Sequence, residues 1–304
     1  MALTINTNLS SMIVQSNLNK STNQLNQAIE RMTTGYKINH ASDNAAGYSI
    51  ARTWEAKLGS LDVAADNAAT GADMLSTLEE NYALVSKHLQ RVRDLTEQAA
   101  NGTYGSESLK AINSEIQARL KEVDRIAVNC EFNGLDMMTG ELGDIAIQVG
   151  IDGNAARSQI TLEENLFASG KVEDLFKTHG GVAEENASVA GVAKLCTGYD
   201  SESEETWHMV DDVHPADMLD KIDKVINEIS NRVTTLGAAQ NRIESAIESI
   251  GVQSENITSS LSTLRDADVA TESSNYIKAQ ILQQASATLL ATANQTPSIA
   301  LNLL

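Results

Sequence analysis

Between Leu219 and Leu264 one pattern narrows what this chain can fold into more than any other. Its positions are Leu219, Ile222, Ile226, Ile229, Val233, Leu236, Gln240, Ile243, Ile247, Ile250, Ser254, Ile257, Leu261 and Leu264, spaced by steps of three and four without a slip. A seam two positions wide in every seven, with Gln240 and Ser254 as polar interruptions, belongs to helices packed as a coiled coil. At 1.5 Å per residue this one helix would run roughly 70 Å. A second register runs through Leu61, Ala64, Ala68, Gly71, Leu75, Leu78, Tyr82, Val85, Leu89, Val92, Thr96 and Ala99 and stops at Asn101-Gly102, a helix-ending pair. Its small residues at 64, 68 and 71 would let a partner helix approach closely. A third, shorter register comprises Leu109, Ile112, Ile116, Leu120, Val123 and Ile126. Three such seams predict a bundle. Composition agrees: 2 prolines in 304 residues leave helices unbroken, and 3 Phe, 2 Trp and 6 Tyr are few for a spherical core, which points to an elongated molecule.

Strict alternation places Ile145, Ile147 and Val149 on one face of Asp144–Val149, and Ile160 and Leu162 continue it in Gln159–Leu162. With Asp152-Gly153-Asn154 between them, a β-hairpin is predicted. Residues 166–215, with Gly180-Gly181, the acidic run Ser201–Glu205 and Pro215, show no period and are expected to form a surface insertion. The ends carry weaker amphipathic stripes. One contains Leu9, Met12, Ile13, Leu18, Leu25, Ile29 and Met32, the other Ile277, Ile281, Leu282, Ala285, Leu289, Leu290 and Ala293. Set among Asn, Gln, Ser and Thr, each would be a marginal helix in isolation, suited to ordering on association.

The formal charge is −19, from 41 acidic and 22 basic residues, which disfavours binding to a phosphate backbone and makes nucleic acid an improbable partner. The charge is uneven. Residues 163–220 hold 14 acids and 3 bases, whereas residues 1–45 hold 2 and 3, and residues 260–304 hold 3 and 2. Nearly uncharged ends beside an acidic middle suggest ends buried in a contact and a middle facing solvent. No apolar run reaches the length a membrane helix needs. The first basic residue is Lys20 and Met1–Val14 is broken by Thr4, Asn6, Thr7, Asn8 and Ser10, so no secretory signal peptide is expected. Cys130 and Cys196 are too few and too far apart for a disulfide framework. His208, Asp211, Asp212 and His214, with Cys196 upstream, match no zinc spacing. No His-Glu-x-x-His, Gly-x-Ser-x-Gly, P-loop or Gly-x-Gly-x-x-Gly occurs, so neither an enzyme nor a cofactor is expected. Asn101-Gly102-Thr103 and Asn186-Ala187-Ser188 match the glycosylation sequon by chance in a chain this rich in Asn, Ser and Thr.

Ile5-Asn6-Thr7-Asn8, the stretch from Ala28 through Glu30-Arg31-Met32 and Gly35-Tyr36-Lys37-Ile38 to Asn39, and Asp43-Asn44-Ala45-Ala46-Gly47 resemble the amino-terminal signature of bacterial flagellins. Leu89–Leu95, Phe132-Asn133-Gly134, Ala279–Ala285 and Ala293-Asn294-Gln295 extend the likeness, which covers about residues 1–165 and 215–304. The resemblance implies a mainly α fold, a long coiled-coil helical bundle with a β-hairpin and with N- and C-terminal helices paired. An inner domain would comprise residues 1–45 and 262–304, the bundle 46–165 and 216–261 with its hairpin at 143–162, and a variable acidic surface insertion 166–215.

It further implies a structural subunit that polymerises with itself into the extracellular flagellar filament. Such a subunit is exported unfolded by the flagellar type III apparatus and meets an export chaperone, a cap and hook-junction proteins. Polymerisation falls to Leu9, Ile13, Leu18, Leu25, Ile29, Ile281, Leu282, Leu289 and Leu290. The hairpin residues Ile145, Ile147, Val149, Ile160 and Leu162 take the place of the family's polymorphic switch. Gln90, Arg91, Leu95 and Glu115 fall where the Toll-type receptor of animals recognises similar flagellins. Arg91 and Leu95, four apart, are expected to share an outward face. Asp94 and Glu97 depart from the residues common there, and only the monomer is expected to be recognised. The alternatives are a hook–filament junction protein, with similar termini but a single layer, and a secreted ligand or adhesin on the same fold.

Overall fold

A computed structural model describes residues 8–183, 186–197 and 215–301, with side chains given to residue 295. In chain order the elements are α1 (Leu9–Thr34), α2 (Ala45–Ala99), α3 (Ser106–Asn129), β1 (Glu131–Phe132), β2 (Leu135–Asp136), β3 (Ile145–Gln148), α4 (Ala155–Ser158) and β4 (Gln159–Leu162). A 3₁₀ turn (Glu164–Phe167), α5 (Val172–Thr178), α6 (Val189–Thr197), α7 (Pro215–Arg265) and α8 (Val269–Leu301) complete the chain. The described residues fall into two compact units, one within Met1–Gly59 and Gln253–Leu304 and one within Ser60–Val252. No described helix is long and apolar enough to cross a membrane.

The Ser60–Val252 unit is built on the three seams. Every position of the second register, from Leu61 to Ala99, is buried, and Met74 and Leu95 join it. Leu109, Ile112, Ile116, Leu120, Val123 and Ile126 supply the buried face of α3. On α7 the buried line is Met218, Ile222, Val225, Ile229, Arg232, Leu236, Ala239, Ile243 and Ile250. Alternate members of the predicted seam lie in it, while Ile226, Val233 and Ile247 pack half-buried along its edge. The seam is displaced because α7 covers a composite core of helices, hairpin and connecting segments, and so buries a wider face than two positions in seven. Gln240, one of the polar interruptions, donates to Glu79 Oε2 of α2 at 2.9 Å. A polar pair of this kind fixes how two helices are aligned.

β3 and β4 form the expected hairpin and pair antiparallel, Ile145 opposite Leu162 and Ile147 opposite Ile160. Their connection carries α4, capped by the Asn154 side chain, which accepts from Ala156 N at 3.1 Å. Ile147, Ile160 and Leu162 are buried, and Ile145 and Val149 pack against the same core. The small residue at position 71 serves this hairpin, not a helix: a Cβ on Gly71 would lie 2.4 Å from Ile147 Cδ1. A second hairpin, β1–β2, turns on Asn133 and Gly134 with φ of 51° and 83°. Both are left-handed, as a type I′ hairpin turn requires.

Residues 166–183 and 186–197 correct the expectation of a surface insertion. Phe167, Val172, Leu175, Phe176, Val182, Val192, Ala193 and Cys196 belong to the core cluster. Here α5 and α6 pack on α3 and on each other. Val172 N, in the first turn of α5, donates to Asp124 Oδ1 of α3 at 2.8 Å. Helices of seven and nine residues are too short to show a period in sequence. The acidic run Ser201–Glu205 and the group His208, Asp211, Asp212 and His214 lie outside the described residues.

Candidate assembly interface

In the Met1–Gly59 and Gln253–Leu304 unit, α1 and α8 run antiparallel side by side. Asn8 Nδ2 donates to Ala293 O at 2.8 Å, Gln283 Nε2 to Thr22 Oγ1 at 3.2 Å and Arg31 Nη1 to Glu272 Oε1 at 3.2 Å. The side chains these two helices bury are small or polar: Ser21 and Ala28 on α1, Glu272 and Ala279 on α8. Small residues let the backbones approach, and that choice leaves the large apolar side chains outside the pair. Leu9 is 65% exposed, Ile13 54%, Ile281 59% and Leu289 57%; Ile29 and Leu282 are exposed as well. Leu18, Leu25 and Leu290 are half-buried. Burying one such side chain in a contact would be worth roughly 1.5–3 kcal/mol. The unit therefore carries apolar surface that the described residues do not cover.

Both ends of the pair are fastened by polar contacts. Asn8 caps α1 by accepting from Ser11 N at 3.1 Å. At the other end Lys37 N donates to Arg265 O and Ala267 N to Gly35 O, while the Arg265 guanidinium lies 3.9 Å from the Tyr36 ring and pairs with Glu55. Asp43 holds the connecting loop, accepting from Asn39 N and His40 N, each at 3.1 Å. These backbone hydrogen bonds, that to His40 above all, lower its carboxyl below the ordinary value.

On one side of the pair Gln24, Gln27, Ala28, Arg31, Glu272, Asn275, Lys278 and Ala279 line a cleft of about 250 Å³. The Glu272 carboxylate is nearly buried there, taking Arg31 Nη1 on Oε1 and Asn275 Nδ2 on Oε2 at 3.4 Å.

Gln90, Arg91 and Glu115 are at the surface, and Arg91 Nε donates to Glu115 Oε1 at 3.0 Å. Leu95 is not with them. It is 1% exposed and belongs to the core cluster, so the expected outward face of Arg91 and Leu95 is corrected at Leu95. Its neighbour Thr96 is hydrogen-bonded to the Cys196 thiol of α6, which sets the insertion's helix beside this stretch of α2. Burial pushes the Cys196 thiol up to about 12 and the Cys130 thiol up to about 11; both are free.

Sequence reasoning missed the polar cluster around Arg232, which is 7% exposed. Its Nη1 donates to Ala168 O at 3.1 Å and Ser169 O at 3.0 Å, and its Nε to Glu228 Oε1 at 3.0 Å; Nη2 lies 3.4 Å from His179 Nε2. Tyr82, fully buried, donates toward the carbonyls of Leu166 and Ala168. The cluster ties α2 and α7 to the segment after β4. A lone Arg in an apolar line was the available signal.

The family model of the bacterial flagellin N-terminal helical region matches residues 5–142, and that of the C-terminal helical region matches residues 219–304. The chain is 35% identical to a flagellin of Xenorhabdus nematophila over the whole of both chains. It is 30% identical to the flagellar filament 33 kDa core protein of Treponema phagedenis over 99% of each. A solved structure ascribed to a flagellar hook-associated protein of Vibrio parahaemolyticus shares the fold. Its TM-score is 0.57 at 14% identity, covering 74% of this chain and all of that one.

Proposed function

The chain belongs to the bacterial flagellin family, and on that premise we propose that the exposed apolar residues of α1 and α8 are the contacts by which it polymerises. It is a structural subunit of the flagellar filament and works outside the cell. The observation that carries the assignment of contacts is the placement of Leu9, Ile13, Ile281, Leu282 and Leu289 on surface that α1 and α8 do not cover for each other. Leu18, Leu25, Ile29 and Leu290 extend the same surface. In a helical polymer each copy covers what its neighbour leaves open.

Several finer roles belong to this reading. The subunit is exported unfolded by the type III apparatus and meets an export chaperone, a cap and hook-junction proteins on its way to the tip. The hairpin residues Ile145, Ile147, Val149, Ile160 and Leu162 serve as the switch between packing states; the close seating of Ile147 on Gly71 supports that placement, since a shift of one must move the other. Gln90, Arg91 and Glu115 are a surface for the Toll-type receptor of animals in the free monomer, with Leu95 withdrawn beneath it.

The test is assembly of the full chain, followed by sedimentation and electron microscopy after seeding. Wild-type protein should give long filaments. The Ile281→Glu, Leu289→Glu double variant should stay monomeric with an unchanged unfolding midpoint, because both positions are exposed in the monomer. A double variant that polymerises like wild type sinks the assignment of contacts. A wild-type chain that only caps seeds points to a hook–filament junction protein.

A further inference from the structure

The cleft between α1 and α8 has more hydrogen-bond donors than the described residues satisfy. Arg31 spends Nη1 on Glu272, and Asn275 spends its amide on the same carboxylate. Gln27 donates to Asp43 Oδ1 at 3.1 Å. Arg31 Nε is buried without an acceptor among the described residues, and the exposed Lys278 and Gln24 side chains line the cleft with their donors open to solvent. Two cations against one carboxylate leave the lining with a net charge of about +1.

We propose that this cleft receives an Asp or Glu side chain from a second copy of the chain in the filament. The proposal rests on the filament reading above. Two observations select the occupant. Lys278 of the cleft lies one helical turn from the exposed Leu282, so a copy that covers Leu282 comes within reach of it. The lining's excess of one positive charge, with the Arg31 Nε donor unmet, selects an acidic group. A carboxylate accepts two or more charge-assisted hydrogen bonds and matches the unspent donors of Arg31 and Lys278. The apolar contacts supply affinity, and this pair fixes the register between copies.

Zero-length carbodiimide coupling, which joins an amine only to a carboxylate in contact with it, provides the test. Filaments grown from equal amounts of isotope-labelled and unlabelled full chain should yield a mixed-isotope peptide joining Lys278 to an Asp or Glu, and monomer should yield none. Lys278→Gln should raise the critical concentration for assembly about tenfold without moving the monomer's unfolding midpoint, and Lys278→Arg should stay near wild type. Filaments in which Lys278 couples only to Glu272 of its own chain, or not at all, overturn the proposal. So does a Lys278→Gln variant that assembles like wild type. Failure of wild-type chains to form filaments would remove the underlying reading, and the proposal with it.

Discussion

At the residue scale, the polar side chains inside the Ser60–Val252 unit decide more than their number suggests. Arg232 satisfies two backbone carbonyls after β4 and pairs with Glu228, so the helix that carries it holds a segment remote in sequence. Buried polar groups of this kind specify an arrangement because any other leaves them unpaired. His88 is less well served: its Nδ1 is buried with no partner. Its pKa is lowered first by desolvation and then by the nearby Arg119, with Lys87 adding to the effect and Glu122 opposing it. With the folded-state pKa below 6.5, the unfolded chain takes up the proton first as pH falls. His88 therefore contributes stability above pH 6.5 that is lost as pH drops through the folded value. Thermal unfolding of the wild type should weaken more between about pH 7.5 and 5.5 than that of His88→Gln. Equal losses in the two proteins would show that His88 is not the source.

At the element scale, the seating of the β3–β4 hairpin on α2 is set by one missing side chain. Gly71→Ala gains helix propensity of up to about 1 kcal/mol but drives its Cβ into Ile147 Cδ1, at a cost of about 1–3 kcal/mol. Ile147→Val alone should cost about 0.5–1.5 kcal/mol. It removes the atom in the way, so the double variant should be less destabilised than the sum of the two by about 1 kcal/mol. Denaturant unfolding of the four proteins measures this coupling, and strict additivity would mean that the hairpin does not sit on Gly71. The long helices were legible from twelve regularly spaced positions on α2 and from a repeat running most of α7. The turn at Asn133-Gly134 was also legible in principle, since an Asn-Gly pair between short extended segments is a hairpin signal. By contrast α5 and α6 were not, because seven to nine residues carry too few repeats to separate a period from chance.

At the scale of the whole molecule, a charge of −19 on every subunit opposes assembly, while uncovered apolar surface on α1 and α8 favours it. Repulsion between exposed charges is screened over about 10 Å at 0.1 M salt, whereas apolar burial is not weakened by that change. The critical concentration for polymerisation should therefore fall several-fold between roughly 10 and 200 mM sodium chloride. A critical concentration that rises with salt would place the dominant contacts among ion pairs instead. The nearly neutral charge of residues 1–45 and 260–304 fits this division, since a face meant for burial carries few charges to desolvate.

The sequence by itself determined the three helical periodicities, the hairpin formed by Asp144–Val149 and Gln159–Leu162, and the nearly uncharged ends with their apolar stripes. Each of these is a periodic or local property, written in the spacing of residues. Only the tertiary structure decided that Leu95 is covered instead of outward, that Arg232 sits in the buried line of α7, and that α5 and α6 belong to the core. It also decided which terminal side chains remain exposed once α1 and α8 have paired. Those outcomes depend on what lies across from a residue in space. A repeat can give the direction of a face, but what meets that face is set by segments far away along the chain.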